Sequence, residues 1–118
     1  NGQDLSPETF TKGYLPQVEY INNRILPLVK SLIENSATPP IIILQGDHGP
    51  FSLPTILNAY YLPENRDIGL YSTITPVNSF RLIFNTYFGT DFPLLPDVSY
   101  TSFDDDPFGG ELYPNPCK

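Results

Sequence analysis

Apolar residues recur at three- and four-residue spacing between Tyr14 and Leu32: Tyr14, Val18, Ile21, Ile25, Leu28, Val29 and Leu32. That period places them on one face of a helix. Gln17, Asn22, Asn23, Arg24, Lys30 and Ser31 fall between them. Pro16 suits the start of this helix. Pro27 lies inside it and predicts a kink or a split, because proline removes a backbone donor and clashes with the preceding turn. Residues 1–10 read as a loop or a ragged end in which Ser6-Pro7-Glu8-Thr9 could cap a short helical turn. Asn35, Ser36 and Pro39-Pro40 end the helix.

The pattern then changes. Ile41-Ile42-Ile43-Leu44 is short, β-branched and apolar at every position, as a strand buried inside a parallel sheet reads. A helix followed by a buried strand is half of a right-handed crossover unit. Thr55 to Leu62 predicts a second strand at the sheet edge, followed by the polar loop 63–67. Thr75-Pro76 is a helix start, with threonine as N-cap and proline in the first turn. Val77, Phe80, Arg81, Phe84, Tyr87 and Phe88 follow with helical spacing, and Gly89 is a suitable terminator. Val98 to Phe103 and Glu111 to Tyr113 read as short strands in a turn-rich stretch. The expected fold is α/β: a partial, mostly parallel sheet with flanking helices over 14–100, and a turn-rich tail over 101–118.

Composition supports a folded chain with many fixed turns. Of 118 residues, 40% are hydrophobic and 14% aromatic, and there are 14 prolines and 8 glycines. This is enough apolar material for one domain or a piece of one. The net charge is −7, and the six Lys and Arg are scattered. Nucleic acid and anionic lipid surfaces are therefore poor partners. The single cysteine, Cys117, cannot form an internal disulfide, and His48 is the single histidine, so a Cys/His zinc cluster is excluded. Cys117 reads as an inert tail thiol. No apolar run approaches the ~18–20 residues of a membrane span, and no signal peptide is visible.

The strongest chemical signal is Asp47-His48, within Gln45-Gly46-Asp47-His48-Gly49-Pro50. Carboxylate and imidazole are both good ligands for a divalent metal. The pair falls at the C-terminal end of the expected buried strand, where ligands bind in open α/β sheets. Gly46 and Gly49 permit a sharp turn there. The plainer reading is a turn in which Asp47 bonds nearby amides and His48 is a surface residue. Other signals are weaker. Ser52 has no activating base and reads as a loop residue. Arg81 could clamp a phosphate or sulfate group, though a packed stem with its head in solvent or on an acid is the ordinary role. Asp104-Asp105-Asp106, with Glu111 downstream, does not match a calcium loop and reads as a solvated acidic turn.

The run Ile-Ile-Ile-Leu-Gln-Gly-Asp-His-Gly after a helix resembles the C-terminal half of the alkaline-phosphatase superfamily, in its sulfatase-like and lipoteichoic-acid-synthase-like branch. Asn58 to Pro63 resembles that family's next strand. The stretch Ser72-Thr73-Ile74-Thr75-Pro76-Val77-Asn78, with the helix ending at Phe88-Gly89, resembles a later family segment, except that Asn78 stands where an acid is common. The likeness covers roughly Tyr14 to Tyr100. It implies that 1–118 is a single C-terminal piece of a metal-dependent hydrolase or transferase acting on phosphate or sulfate esters. Asp47 and His48 would hold the catalytic Mn, Zn, Mg or Ca ion. The nucleophile and remaining ligands would come from the N-terminal part of the same polypeptide. The isolated piece would be inactive, with an empty or weakly occupied site. The resemblance also implies a parent enzyme outside the cytoplasm or tethered to a membrane. Two alternatives stand beside it: a non-catalytic structural or interaction domain on the same scaffold, and a small metal-binding module complete in itself.

Overall fold

A computed structural model describes residues 7–49, 55–103 and 106–113. The chain divides into two compact units, 1–42 and 43–118. The first is essentially one helix, α1 (Pro7–Asn35). It starts at a proline, whose missing N–H costs nothing in the first turn, with Glu8 near the positive end of the helix dipole. Glu8 and Lys12 pair one turn apart at 2.8 Å, and Phe10 stacks on Tyr14. Val18, Ile25, Val29 and Ile33 form a half-buried stripe, while Tyr14, Ile21, Leu28 and Leu32 of the expected apolar face are exposed, as are Leu15, Tyr20 and Leu26. The expected split at Pro27 does not occur: α1 runs through both Pro16 and Pro27. A proline removes one hydrogen bond locally, and a helix with intact turns on both sides tolerates that loss. At its end, Ser36 Oγ and Asn35 Nδ2 donate to the carbonyls of Leu32 and Ser31 at 2.5 and 2.9 Å. Those side chains satisfy acceptors the helix leaves open.

The second unit holds β1 (Ile42–Gln45), β2 (Asn58–Tyr61), a 3-10 turn (Pro63–Asn65), α2 (Pro76–Phe88), β3 (Ser99–Phe103) and β4 (Asp106–Tyr113). The expected partial, mostly parallel sheet is overturned. The described strands form two separate two-stranded antiparallel sheets, β1–β2 and β3–β4. All four residues of β1 are half-buried, and β2 alternates half-buried with exposed positions. That is the pattern of a sheet covered on one face, whereas parallel strands are covered on both. The apolar run Ile41–Leu44 could not distinguish these cases, because pairing direction depends on the route to the partner. Here residues 46–57 carry the chain back to β2 with no helix among the described ones. A parallel neighbour needs a crossover, usually a helix.

The tail is more ordered than its turn residues suggest. β3 and β4 pair in antiparallel register, Ser99 opposite Tyr113 and Phe103 opposite Asp106, with an irregularity between Thr101 and Phe103. Asp104 and Asp105 lie outside the described residues, so the acidic turn expected there is not described.

Helix α2 is bounded as its sequence predicts. Thr75 occupies the N-cap, Pro76 opens the helix, and Gly89 closes it at φ 67°, a left-handed conformation that glycine adopts without strain. Its orientation is the surprise. Most apolar positions that set the periodicity are exposed, Val77 to 52%, Phe80 to 41%, Phe84 to 40% and Phe88 to 63%, with Tyr87 half-buried. The buried positions are Asn78, Ser79 and Ile83. The inward face is therefore partly polar, and it is held by hydrogen bonds.

Asn78 and Asn85 hold the segment that returns after α2. Asn78 Nδ2 donates to Leu95 O at 2.7 Å, and Leu95 N donates to Asn78 Oδ1 at 2.9 Å. Asn85 grips Phe92 in the same way, at 2.9 and 2.7 Å. A carboxamide offers one donor edge and one acceptor, so it pairs with a residue's N–H and C=O as a neighbouring strand would. The spacing also fits. Seven residues of helix rise about 10.5 Å, and three extended residues span about 10 Å. Two asparagines two turns apart thus meet Leu95 and Phe92 in register. On the same unit, Tyr87 donates to Pro63 O at 2.8 Å and Arg66 lies over the Tyr87 ring.

Candidate metal centre

The last backbone tie of the first sheet is Gly46 N–H to Leu57 O, at 2.9 Å. Beside it, Gln45 Nε2 donates to Asn58 Oδ1 at 3.2 Å. These contacts fix the point at which the chain leaves the sheet, and Asp47 and His48 follow immediately. Gly46 does not adopt a left-handed conformation, and a Cβ there would meet its neighbours at ordinary van der Waals distance. The chain bends at Asp47, and Gly46 does not supply a left-handed residue to that bend.

Both side chains face solvent, with 90% of the Asp47 side chain and 59% of the His48 side chain exposed. Asp47 Oδ1 accepts the His48 amide at 3.0 Å, the local turn contact that the plainer reading anticipated. His48 Nδ1 lies 2.8 Å from Gly49 O. A carbonyl only accepts, so Nδ1 carries the proton in that contact. In the neutral ring the lone pair is then on Nε2. A backbone carbonyl on the far nitrogen is the usual way a metal-binding imidazole is oriented. Nε2 stands 3.6 Å from Asp47 Oδ2. Two ligands each ~2.0–2.2 Å from one tetrahedral ion are roughly 3.3 Å apart. The pair fits as two ligands of one ion with little adjustment.

It does not make a complete site. No group of three or more His, Cys, Asp or Glu side chains that could hold a metal ion occurs among the described residues. Pro50, Ser52 and Cys117 lie outside them.

Arg81 is not paired with a carboxylate among the described residues. Its Nη1 donates to Pro93 O at 3.2 Å, its guanidinium carbon stands 5.8 Å from the Phe92 ring centre, and its Nε is buried without a hydrogen-bond partner. Asn78 turns out to be part of a polar knot at the start of α2. Asp97 Oδ1 accepts from Thr75 N and Thr75 Oγ1, both at 2.7 Å, and from Asn78 Nδ2 at 2.9 Å, while Oδ2 accepts from Tyr71 OH at 2.5 Å. Thr75 makes no side-chain cap of its own, because its hydroxyl donates to Asp97. The carboxylate of Asp97 thus stands at the positive end of α2. Burial opposes its ionisation, but the hydrogen bonds from Tyr71 and Thr75 outweigh that and hold its carboxyl below the usual range. Burial, with the Asp97 contact, pushes the Tyr71 phenol above its ordinary value. Ser79, fully buried, shares a 2.6 Å hydrogen bond with Tyr60 OH. Sequence reasoning missed this knot because its members are polar and far apart in sequence. The signal available was the pair of asparagines seven residues apart inside a strongly aromatic helix.

Among the described residues, no helix is long and apolar enough to cross a membrane. Comparison of the chain with protein-family models, with curated proteins and with solved structures gave no match.

Proposed function

We propose that this chain is part of a metal-dependent hydrolase or transferase acting on phosphate or sulfate esters, and that Asp47 and His48 supply two of its metal ligands. The observation that carries the reading is the 3.6 Å separation of Asp47 Oδ2 from His48 Nε2, with the opposite ring nitrogen held by Gly49 O. The resemblance of Ile41–Gly49, Asn58–Pro63 and Ser72–Gly89 to sulfatase-like enzymes supports the choice of reaction. A bound Mn, Zn, Mg or Ca ion would polarise the ester oxygen and stabilise a deprotonated nucleophile. In this reading the chain would supply one carboxylate oxygen, from Asp47, and one imidazole nitrogen, from His48, as ligands. The nucleophile and at least one further ligand belong to the N-terminal part of the polypeptide in this reading, and the parent enzyme works outside the cytoplasm or tethered to a membrane.

Metal titration tests the ligand assignment. A structural zinc site with a full ligand set binds with roughly 10 kcal/mol or more, so half a set is expected to give about 5 kcal/mol, a Kd on the order of 0.1 mM. Binding of Zn or Mn should be lost in Asp47→Ala and in His48→Ala. Binding unchanged in both variants would refute the assignment. Micromolar affinity lost in Asp47→Ala would instead favour a module complete in itself. Aryl phosphate or sulfate turnover by this chain is expected to be absent, and turnover that survives His48→Ala would refute the catalytic reading.

A non-catalytic structural or interaction domain is the second reading. What favours it is Asn78, which stands where the resembling enzymes commonly carry an acid and is fully buried as a backbone clamp.

A further inference from the structure

The outer face of α2 carries Val77, Phe80, Arg81 and Phe84, and the returning segment adds Phe92; together they line an open cleft of about 270 Å³. The four apolar side chains are 40–52% exposed. The Phe84 ring lies 6.4 Å from Phe80 and meets Phe92 edge-on at 6.2 Å. Arg81 stands among these rings without a carboxylate partner among the described residues. In a chain of net charge −7 this is a distinct environment. Its Nη1 is committed to Pro93 O, while Nε is covered and unpaired. A buried unpaired N–H calls for an explanation, since such groups nearly always have a partner. Nε shares with Nη2 the edge of the guanidinium that grips a carboxylate or phosphonate through two parallel bonds.

We propose that this cleft binds a small aryl anion, with its ring among Phe80, Phe84 and Phe92 and its charged head on the Nε edge of Arg81. The volume sets the size: it is slightly below the ~300–1,000 Å³ of drug-sized pockets and above the ~150 Å³ cavity that holds one benzene ring. The rings select an aromatic body, because offset and edge contacts between aromatics add to simple burial. The guanidinium selects the anion. Because Nε is covered in the free chain, the head group must displace what covers it, so binding reports directly on the Arg81 Nε–H. The proposal is independent of Asp47 and His48.

The test is titration of the whole chain with phenylphosphonate, phenylacetate, inorganic phosphate and benzyl alcohol, followed by NMR of the arginine Nε–H signals. Phenylphosphonate and phenylacetate are expected to bind at least ten-fold more tightly than inorganic phosphate or benzyl alcohol and to shift the Arg81 Nε–H. Arg81→Gln should lose at least ten-fold for both aryl anions and leave benzyl alcohol unchanged. Phe80→Leu, at a half-exposed position outside the asparagine clamp, should weaken the aryl anions at least three-fold without changing the circular dichroism. This second variant decides the matter if Arg81→Gln disturbs folding. Inorganic phosphate binding as tightly as phenylphosphonate would overturn the proposal. So would aryl-anion affinity unchanged in Phe80→Leu, or in a folded Arg81→Gln chain. Addition of a chelator, or His48→Ala, should leave this binding intact, which separates its failure from failure of the metal assignment.

Discussion

Asn78→Asp is nearly isosteric, yet it should be among the most damaging substitutions available to this chain. The carboxamide donates to Leu95 O, Asp97 Oδ1 and Tyr71 OH at 2.7, 2.9 and 3.2 Å. An ionised aspartate donates nothing and would lie about 3 Å from a second carboxylate. At an effective dielectric constant near 20 that repulsion is roughly 5–6 kcal/mol. Protonating the new side chain is cheaper. At pH 7 it costs about 4 kcal/mol, from ~3 pH units above the ordinary aspartate value at 1.36 kcal/mol each. The carboxylic acid has one hydrogen to donate where the amide has two, which adds about 1 kcal/mol. The expected cost is therefore about 5 kcal/mol at pH 7 and about 2–3 kcal/mol at pH 5. The sign follows from linkage: the folded-state pKa of the introduced acid is raised, so its penalty shrinks as pH falls toward the unfolded value. Urea unfolding at both pH values, followed by circular dichroism and tyrosine fluorescence, measures this. The chain has 8 tyrosines and no tryptophan. If 5 kcal/mol exhausts the stability of the fold, the variant should be unfolded at pH 7 and refold at pH 5. Asn78→Ala removes the same donors without adding a charge, so its cost should not depend on pH over this range. A cost for Asn78→Asp below ~2 kcal/mol at pH 7, or the same cost at both pH values, would refute this account of the clamp.

Two further expectations concern the same unit. The depressed Asp97 pKa contributes stability that is present above the ordinary aspartate value and is lost as pH falls below about 4; the raised Tyr71 pKa contributes stability that is lost above about pH 10. Unfolding free energy should decline at both ends, and Asp97→Asn should flatten the acid limb; an unchanged acid limb would show that the carboxylate is not held as described. The glycines should separate by conformation. Gly89→Ala should cost about 1 kcal/mol because φ is 67°, whereas Gly46→Ala, with no left-handed backbone and no close contact, should stay within about 0.5 kcal/mol in thermal melts. Equal costs would contradict the assignment.

Local features were legible in the sequence, and relations between distant segments were not. The helical period of α1 and both ends of α2 are written into residues a few positions apart, because helical period and capping act over single turns, although of the expected α1 face only Val18, Ile25 and Val29 are half-buried. Thr75-Pro76 and Gly89 therefore mark the ends of α2 correctly. Proline marks an interruption less reliably, since Pro27 removes one bond from a helix that continues on either side. For the metal pair, the adjacency of Asp47 and His48 was legible. The Gly49 carbonyl that orients the imidazole and the 3.6 Å gap between the donor atoms came only with coordinates.

What the sequence by itself determined, then, is that two helical stretches are present and where α2 begins and ends; α1 starts at Pro7, inside the stretch read as a loop. Tertiary structure decided the rest. Ile42–Leu44 pairs antiparallel because of how the chain returns to Asn58, and three apolar residues carry no information about that return. It also decided which face of α2 turns inward. Periodicity favours Phe80, Phe84 and Phe88, but the segment 92–97 offers backbone groups and a carboxylate that the polar side chains of Thr75, Asn78 and Asn85 meet. The net gain depends on both partners meeting away from water, so it is visible only once the chain has folded back on itself.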